Sequence, residues 1–350
     1  MKKLLTIIVI LLFLAPTALA APLDDVESAA PDSAREVLRD ADASDMDSVL
    51  ERLGQFIRDK SGEVFSQAVR TGASVLLVPV ICSLAGAVYD DKLPDTVNTV
   101  GVLAVGALCL GGSGAYIELG RQTLDELDAF AKVLLPTLAA VTGAGGAVTS
   151  AAAKYAAASM FTEILMHIGN SLILPLICAY IAASIGDAAF GGGLSSAVKL
   201  TKWAVTTALT LLVLAFTLYI SVTGIITGSA DQAAIKVTKT AISMAVPVVG
   251  GMISDAAGAA ANGTVLLKNT VGVTGMAVIL AVCVVPFLRL GARHLVFKAV
   301  AALSQPIGGE KLAKLIEAMG TAMGMLLGLC GAMAVMLYIT IISMMKAVVQ

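Results

Sequence analysis

Apolar residues run along this chain in blocks long enough to cross a lipid bilayer, separated by short polar connectors. Six blocks read as spans: 71–89 (TGASVLLVPVICSLAGAVY), 97–117, a run near 165–186, 203–224, 272–288 and 320–344. Each falls in the range of roughly 17–25 residues that a helix needs to traverse the hydrocarbon core. Two further segments, LLPTLAAVTGAGGAVTSAAA (134–153) and AVPVVGGMISDAAGAAANG (245–263), are apolar but rich in small residues and interrupted by proline and glycine. Asp255 at a bilayer centre would cost ~2.5–3.5 kcal/mol. Backbone groups freed by Pro and Gly must find partners in protein or in a water-filled cavity. Small residues, for their part, let helices approach closely. These costs favour broken or re-entrant helices at membrane depth, lining a cavity; the competing reading is a helix end with Asp255 at the interface.

The candidate cavity-lining or gating residues are Pro136, Gly143, Gly145, Gly146, Pro247, Gly250, Gly251, Asp255, Lys268 and Asn269. Lys268 comes within reach of Asp255 if the chain folds back after Asn262-Gly263. The two segments are also related by a shift of about 111 residues, which lays Pro136 on Pro247, Pro175 on Pro286 and Thr96-x-x-Thr99 on Thr207-x-x-Thr210. The units, about 96–186 and 207–297, would form a tandem repeat of the kind common in transport folds.

Composition fixes the solvent. Hydrophobic residues make up 58% of 350 and charged residues 14%, with a mean hydropathy of +0.91. A soluble domain has roughly a quarter of its residues charged, so the expected fold is an all-α polytopic membrane protein with membrane lipids as its surroundings. A net charge of −2 gives no reason to expect a nucleic-acid partner. The opening MKKLLTIIVILLFLAPTALA has the layout of a cleaved signal peptide over 1–20, the alternative being an uncleaved signal anchor; either would export residues 21–70 and leave 71–350 as the transmembrane domain.

The exported segment holds 12 of the 25 acidic residues. Its first part is polar enough to stay flexible. From Ser44, Val49, Leu50, Leu53, Phe56, Ile57, Val64, Phe65 and Val69 recur at helical spacing, predicting one or two amphipathic helices on the membrane, a partner or the bundle itself. The cysteines (Cys82, Cys109, Cys178, Cys283, Cys330) fall inside apolar segments and read as buried free thiols.

Basic residues test the topology. With 21–70 outside and both ambiguous segments returning to the face they leave, Lys199 and Lys202 are cytoplasmic. So is the 289–314 connector with Arg289, Arg293, Lys298, Lys311 and Lys314, in line with the positive-inside bias. If both segments cross, Lys236 and Lys239 replace Lys199 and Lys202, so charge leaves six or eight spans open. His294 reads as part of this lipid-facing basic surface.

Enzyme chemistry has little to stand on. Glu163 and His167, four apart on one helical face, form a possible intramembrane polar pair, but no third ligand lies near. No phosphate-binding loop occurs, and no cofactor is expected.

PVVGGMISDA (247–256), LLKNTVGVTG (266–275), QPIGG (305–309) and the 134–152 stretch resemble the stage III sporulation protein AE family of spore-forming bacteria. The resemblance covers nearly the whole chain. It implies a multi-pass protein of the mother-cell membrane around the forespore, working with other subunits of a transenvelope complex likened to a secretion apparatus or feeding channel. The residues by themselves also fit a stand-alone secondary transporter of a small solute or a non-conducting assembly platform.

Overall fold

Lipid offers a free backbone group no hydrogen-bond partner, so an apolar block must fold as a helix, and each of these blocks does. The computed structural model describes residues 24–346 apart from 40–41, 43–44, 89–93, 145–147, 191–192 and 246–249; over 223–268 and at a few other positions it describes the backbone alone. Two short helices, α1 (24–28) and α2 (Asp32–Val37), precede the long ones: α3 (Met46–Val88), α4 (Pro94–Ala144), α5 (Val148–Ile168), α6 (Leu174–Phe190), α7 (Ser195–Ala245), α8 (Gly250–Gly308) and α9 (Glu310–Met345). A π-helical turn, Gly169–Ile173, joins α5 to α6. Among the described residues six helical stretches are long and apolar enough to cross a membrane, α5 and α6 counting as one.

The helices outrun the bilayer. α4 has 51 residues and α8 has 59, about 76 and 88 Å at 1.5 Å per residue, against a hydrocarbon core of ~30 Å. Segments that read as polar connectors are therefore largely helix. The 289–314 stretch is the end of α8 and the start of α9, and the chain reverses at Gly309, whose φ of 81° lies in the left-handed region that glycine enters without steric cost.

Both ambiguous segments fall where one long helix ends and the next begins. α4 continues through Pro136 to Ala144 and α5 starts at Val148; α7 stops at Ala245 and α8 starts at Gly250. Pro136 is exposed inside α4 and does not break it: the missing N–H leaves only the carbonyl of Lys132 without its helical donor.

α8 and α9 make the most extensive contact in the bundle and form its central hairpin. α9 is buried along most of its length, through residues such as Leu312, Leu326, Cys330 and Ile341. α4 runs parallel to α9. Gly101 packs on Leu312, Gly120 on Leu326, and Leu134 meets Gly275 of α8 beside Ile341. α8 runs antiparallel, with Gly320 against Phe297 and Gly331 against Phe287. These contacts give every helix a depth on the scale of α9, from a Gly309 end to an opposite end near Ser343.

The stretch expected to be flexible is held on the bundle. Val26, Ala30, Ala34 and Val37 are buried, and the Ser33 hydroxyl donates a hydrogen bond to the Glu126 carboxylate of α4. α3 then extends through the amphipathic segment without a break, burying Val49, Leu53 and Phe56 while Leu50, Ile57, Phe65 and Val69 stay exposed.

Candidate functional site

At one depth the bundle presents two unlike faces. Beside Leu326 and Cys330 of α9 lies α4 near Gly120, whose carbonyl accepts the Cys330 thiol at 3.8 Å. There Glu118, Arg121, Asp125 and Lys132 are exposed. α3 brings the exposed Lys60, Glu63 and Gln67 to Val285, Leu288 and Arg289 of α8, at the level of Phe287 and Gly331. On the other side α7 meets the same stretch of α9, Leu209 approaching Gly328. The exposed α7 side chains here include Leu211, Leu214 and Leu218, each more than half exposed, with Thr210, Ala215 and Tyr219 but no charged group beside them. One face is suited to hydrocarbon, while the other carries charges at the same depth.

Two adjoining hollows open between the helices. Toward the Gly309 end a cavity of about 580 Å³ lies between α6, α7 and α9, lined by Lys199, Lys202, Lys311 and Lys314 with Asp187, Glu310 and Glu317. Lys314 pairs with Glu310 at 2.5 Å, and Lys298 with Glu317 at 2.7 Å. Asp187 accepts the backbone N–H of Leu194 at 2.9 Å. From Lys202 and Thr321, which line both hollows, a groove of about 820 Å³ runs between α7 and α9 past Leu209, Val213, Gly328 and Val335.

His294 does not belong to a basic surface loop. It sits part-buried between α8 and α9, in the notch left by Gly320 and Gly324, its Nδ1 2.7 Å from the Gly320 carbonyl oxygen. Arg293 lies 4.6 Å over the Tyr116 ring of α4. Arg293 and His294 are thus turned inward, Arg293 tying α8 to α4 and His294 tying it to α9, while Arg289 stays exposed.

The residues singled out in the sequence scatter. Gly145, Gly146 and Pro247 lie outside the described residues. Gly250, Gly251, Asp255 and Lys268 fall on the described backbone of α8. Pro136 and Gly143 lie near the end of α4, and Asn269 is exposed on α8. Glu163 and His167 are both exposed on α5, Glu163 close enough to Lys132 to act on it electrostatically. Of the described candidates, Pro136, Gly143, Glu163, His167 and Asn269 line neither the cavity nor the groove. Four cysteines are buried as expected, but Cys178 of α6 is exposed. Among the described residues no group of three or more His, Cys, Asp or Glu could hold a metal ion.

The family model of stage III sporulation protein AE matches residues 33–348. The chain belongs to this family. The match runs from inside α2 to the end of α9, so it takes in the whole bundle and both hollows. Stage III sporulation protein AE of Bacillus subtilis (strain 168) is 24% identical over 264 residues, 71% of this chain and 63% of the relative. The chain thus spans less than two thirds of that relative's length. No solved structure matches. Membership in the stage III sporulation protein AE family, together with six apolar helices, makes this a sporulation-related multi-pass membrane protein. The family name denotes a developmental stage, not a reaction.

In this family member one polar contact had no warning in the sequence. Lys154 of α5 is only 5% exposed, and its Nζ donates to the Ser343 carbonyl at 2.6 Å in the last turn of α9. A cation there completes unpaired carbonyls and opposes the negative end of the helix dipole. Lys154→Met keeps the stem and removes the donor. Hydrogen bonds to charged groups contribute about 1.5–3 kcal/mol, so this variant is expected to melt measurably lower in detergent; an unchanged midpoint would show that Lys154 does not hold the end of α9.

Proposed function

We propose that the protein is a membrane core subunit of the transenvelope channel or secretion-like complex of sporulation, set in the mother-cell membrane around the forespore. One observation carries this reading: at the depth where α7 exposes Leu211, Leu214 and Leu218, α4 exposes Glu118, Arg121 and Asp125. Charged side chains in hydrocarbon are costly and normally face a bundle interior or water. A chain with lipid on one side and charge on the other suits a place in an assembly, its α3–α4 face turned to partner subunits around an aqueous path. Residues 21–70 would lie outside the cytoplasm. The Gly309 end, with Lys199, Lys202, Lys298, Lys311 and Lys314, would lie inside, following the positive-inside bias. The Gly/Pro-rich helix ends at 134–153 and 245–263, with Asp255 and Lys268, are the parts this reading assigns to lining or gating the path, whether or not they descend from a duplication.

Single cysteines at 125 and 214, in a chain lacking the native five, test the reading in sporulating cells. A membrane-impermeant maleimide is expected to label residue 125 or to be blocked there by co-purifying subunits, and to leave residue 214 unmodified. Equal labelling of both positions in a protein that purifies alone would reject it. Solute uptake by the purified chain alone in liposomes would favour the stand-alone transporter.

A further inference from the structure

We propose that the hollow between α6, α7 and α9 binds one anionic phospholipid, with its phosphate beside Lys199 and Lys202 and its acyl chains in the α7–α9 groove. The argument starts from charge. Of the carboxylates lining the cavity, Glu310 is paired with Lys314 and Glu317 with Lys298. The lining as a whole sets Lys199, Lys202, Lys311 and Lys314 against Asp187, Glu310 and Glu317, with Lys202 also acting on Glu317 and Asp187 accepting the Leu194 N–H, so the cavity carries a net positive charge. Ser195 opens α7 and Glu310 opens α9, and both line the cavity, so two helix N-termini add partial positive charge at the same place. Basic pockets between transmembrane helices on the cytoplasmic side have the chemistry to hold anionic head groups.

The second part of the argument is shape and depth. The cavity and the groove adjoin, sharing Lys202 and Thr321 in their linings. Between Lys202 and Leu214 the groove follows twelve residues of α7, about 18 Å of helix, close to half of the ~30 Å hydrocarbon core. At its basic end the groove is lined by Lys202, Thr206, His294, Lys298 and Thr321; farther along, Thr210 apart, its walls are apolar, with Leu209, Val213 and Leu214 of α7 facing Met325, Gly328, Ala332 and Val335 of α9. A Cβ at Gly328 would stand 3.8 Å from Leu209, an ordinary contact distance, so a bulkier side chain there would reach into the groove beside Leu209. A polar hollow at the basic end leading into an apolar channel one leaflet long matches a phospholipid. A soluble phosphate would use only the cavity, and a partner helix would have no use for the lysines.

The experiment follows thermal unfolding of the purified full-length protein in detergent as lipid is added, with native mass spectrometry counting bound lipid. Phosphatidylglycerol is expected to raise the midpoint at lower concentration than phosphatidylcholine with the same chains. The double variant Lys199→Gln, Lys202→Gln should weaken the phosphatidylglycerol response on the order of tenfold, while Lys132→Gln on α4 leaves it unchanged. Gly328→Leu, which fills the groove with both lysines in place, should abolish retention of the lipid. If a glutamine variant fails to fold, Lys199→Arg with Lys202→Arg must fold and retain the preference. Equal responses to the two lipids would overturn the proposal, and so would full stabilisation by glycerol phosphate alone, the mark of a small-anion site. Neither result bears on the α3–α4 face, so the proposal can fail without the proposed function.

Discussion

Gly320→Leu is expected to remove most of the protein from the membrane fraction. At Gly320 α9 lies close against the backbone of α8. A Cβ there would stand 3.2 Å from the Cβ of Phe297, 3.3 Å from the carbonyl oxygen of His294 and 3.5 Å from the backbone nitrogen of Lys298. A flexible side chain could move aside, but two of these three neighbours are backbone atoms of a long helix and cannot yield without separating the hairpin. Overpacking of this kind costs typically 1–3 kcal/mol and sometimes more, set against a total stability of only about 5–15 kcal/mol. Separation would also break the His294–Gly320 hydrogen bond of 2.7 Å. Gly324→Ala offers a graded comparison. Its Cβ would meet the His294 ring at 3.0 Å, a side chain that can rotate, so a milder loss is expected. Immunoblots of membranes and size-exclusion profiles in detergent measure both; a wild-type level and profile for Gly320→Leu would show that α8 and α9 do not meet in this way.

The second large effect comes from exchanging the character of the two faces. Leu214→Asp puts a carboxylate on the exposed apolar side of α7, where insertion scales assign ~2.5–3.5 kcal/mol to Asp at a helix centre, and the protein is expected to be depleted. Asp125→Leu and Glu118→Leu make the opposite change on α4. Both residues are exposed, so their loss leaves no buried partner uncompensated, and exposed ion pairs are worth only about 0–1 kcal/mol. These variants are expected to accumulate normally and yet to block spore formation, because an apolar surface replaces the charged one that faces water or partner subunits. Quantitative membrane immunoblots beside heat-resistant spore counts separate the two outcomes. Depletion by both kinds of change, or by neither, would mean that the two faces do not differ in what surrounds them.

These effects turn on depth, which the order of residues conveyed poorly. The polar stretch after 117 read as a connector, yet it is the exposed face of a continuous α4. The 289–314 stretch read as a basic loop, yet Arg293 and His294 point into contacts with Tyr116 and Gly320. In both places the apolar run ends while the helix does not, because internal hydrogen bonding continues for as long as tertiary neighbours support it. The proline at 136 misled for the same reason: one missing hydrogen bond on an exposed surface is too little to break a helix otherwise well packed. The polar stretch expected to be flexible buries only Val26, Ala30, Ala34 and Val37, but these rest on a surface that α4 and α8 provide.

Local pattern alone determined the class of solvent, the helical fold, the position of each of the six apolar blocks within α3, α4, α5–α6, α7, α8 and α9, and the family, because each depends on residue type and spacing within about twenty positions. Only the tertiary structure decided which helices neighbour one another and at what depth. It set α4 parallel to α9, seated His294 against Gly320, carried Lys154 to Ser343, and brought Lys199 and Lys202 to Lys311 and Lys314 across more than a hundred residues of chain. The physical reason is that helix pairing depends on the fit of one surface to another, with small residues opposite large ones, and that fit is a property of two segments together, written in neither alone.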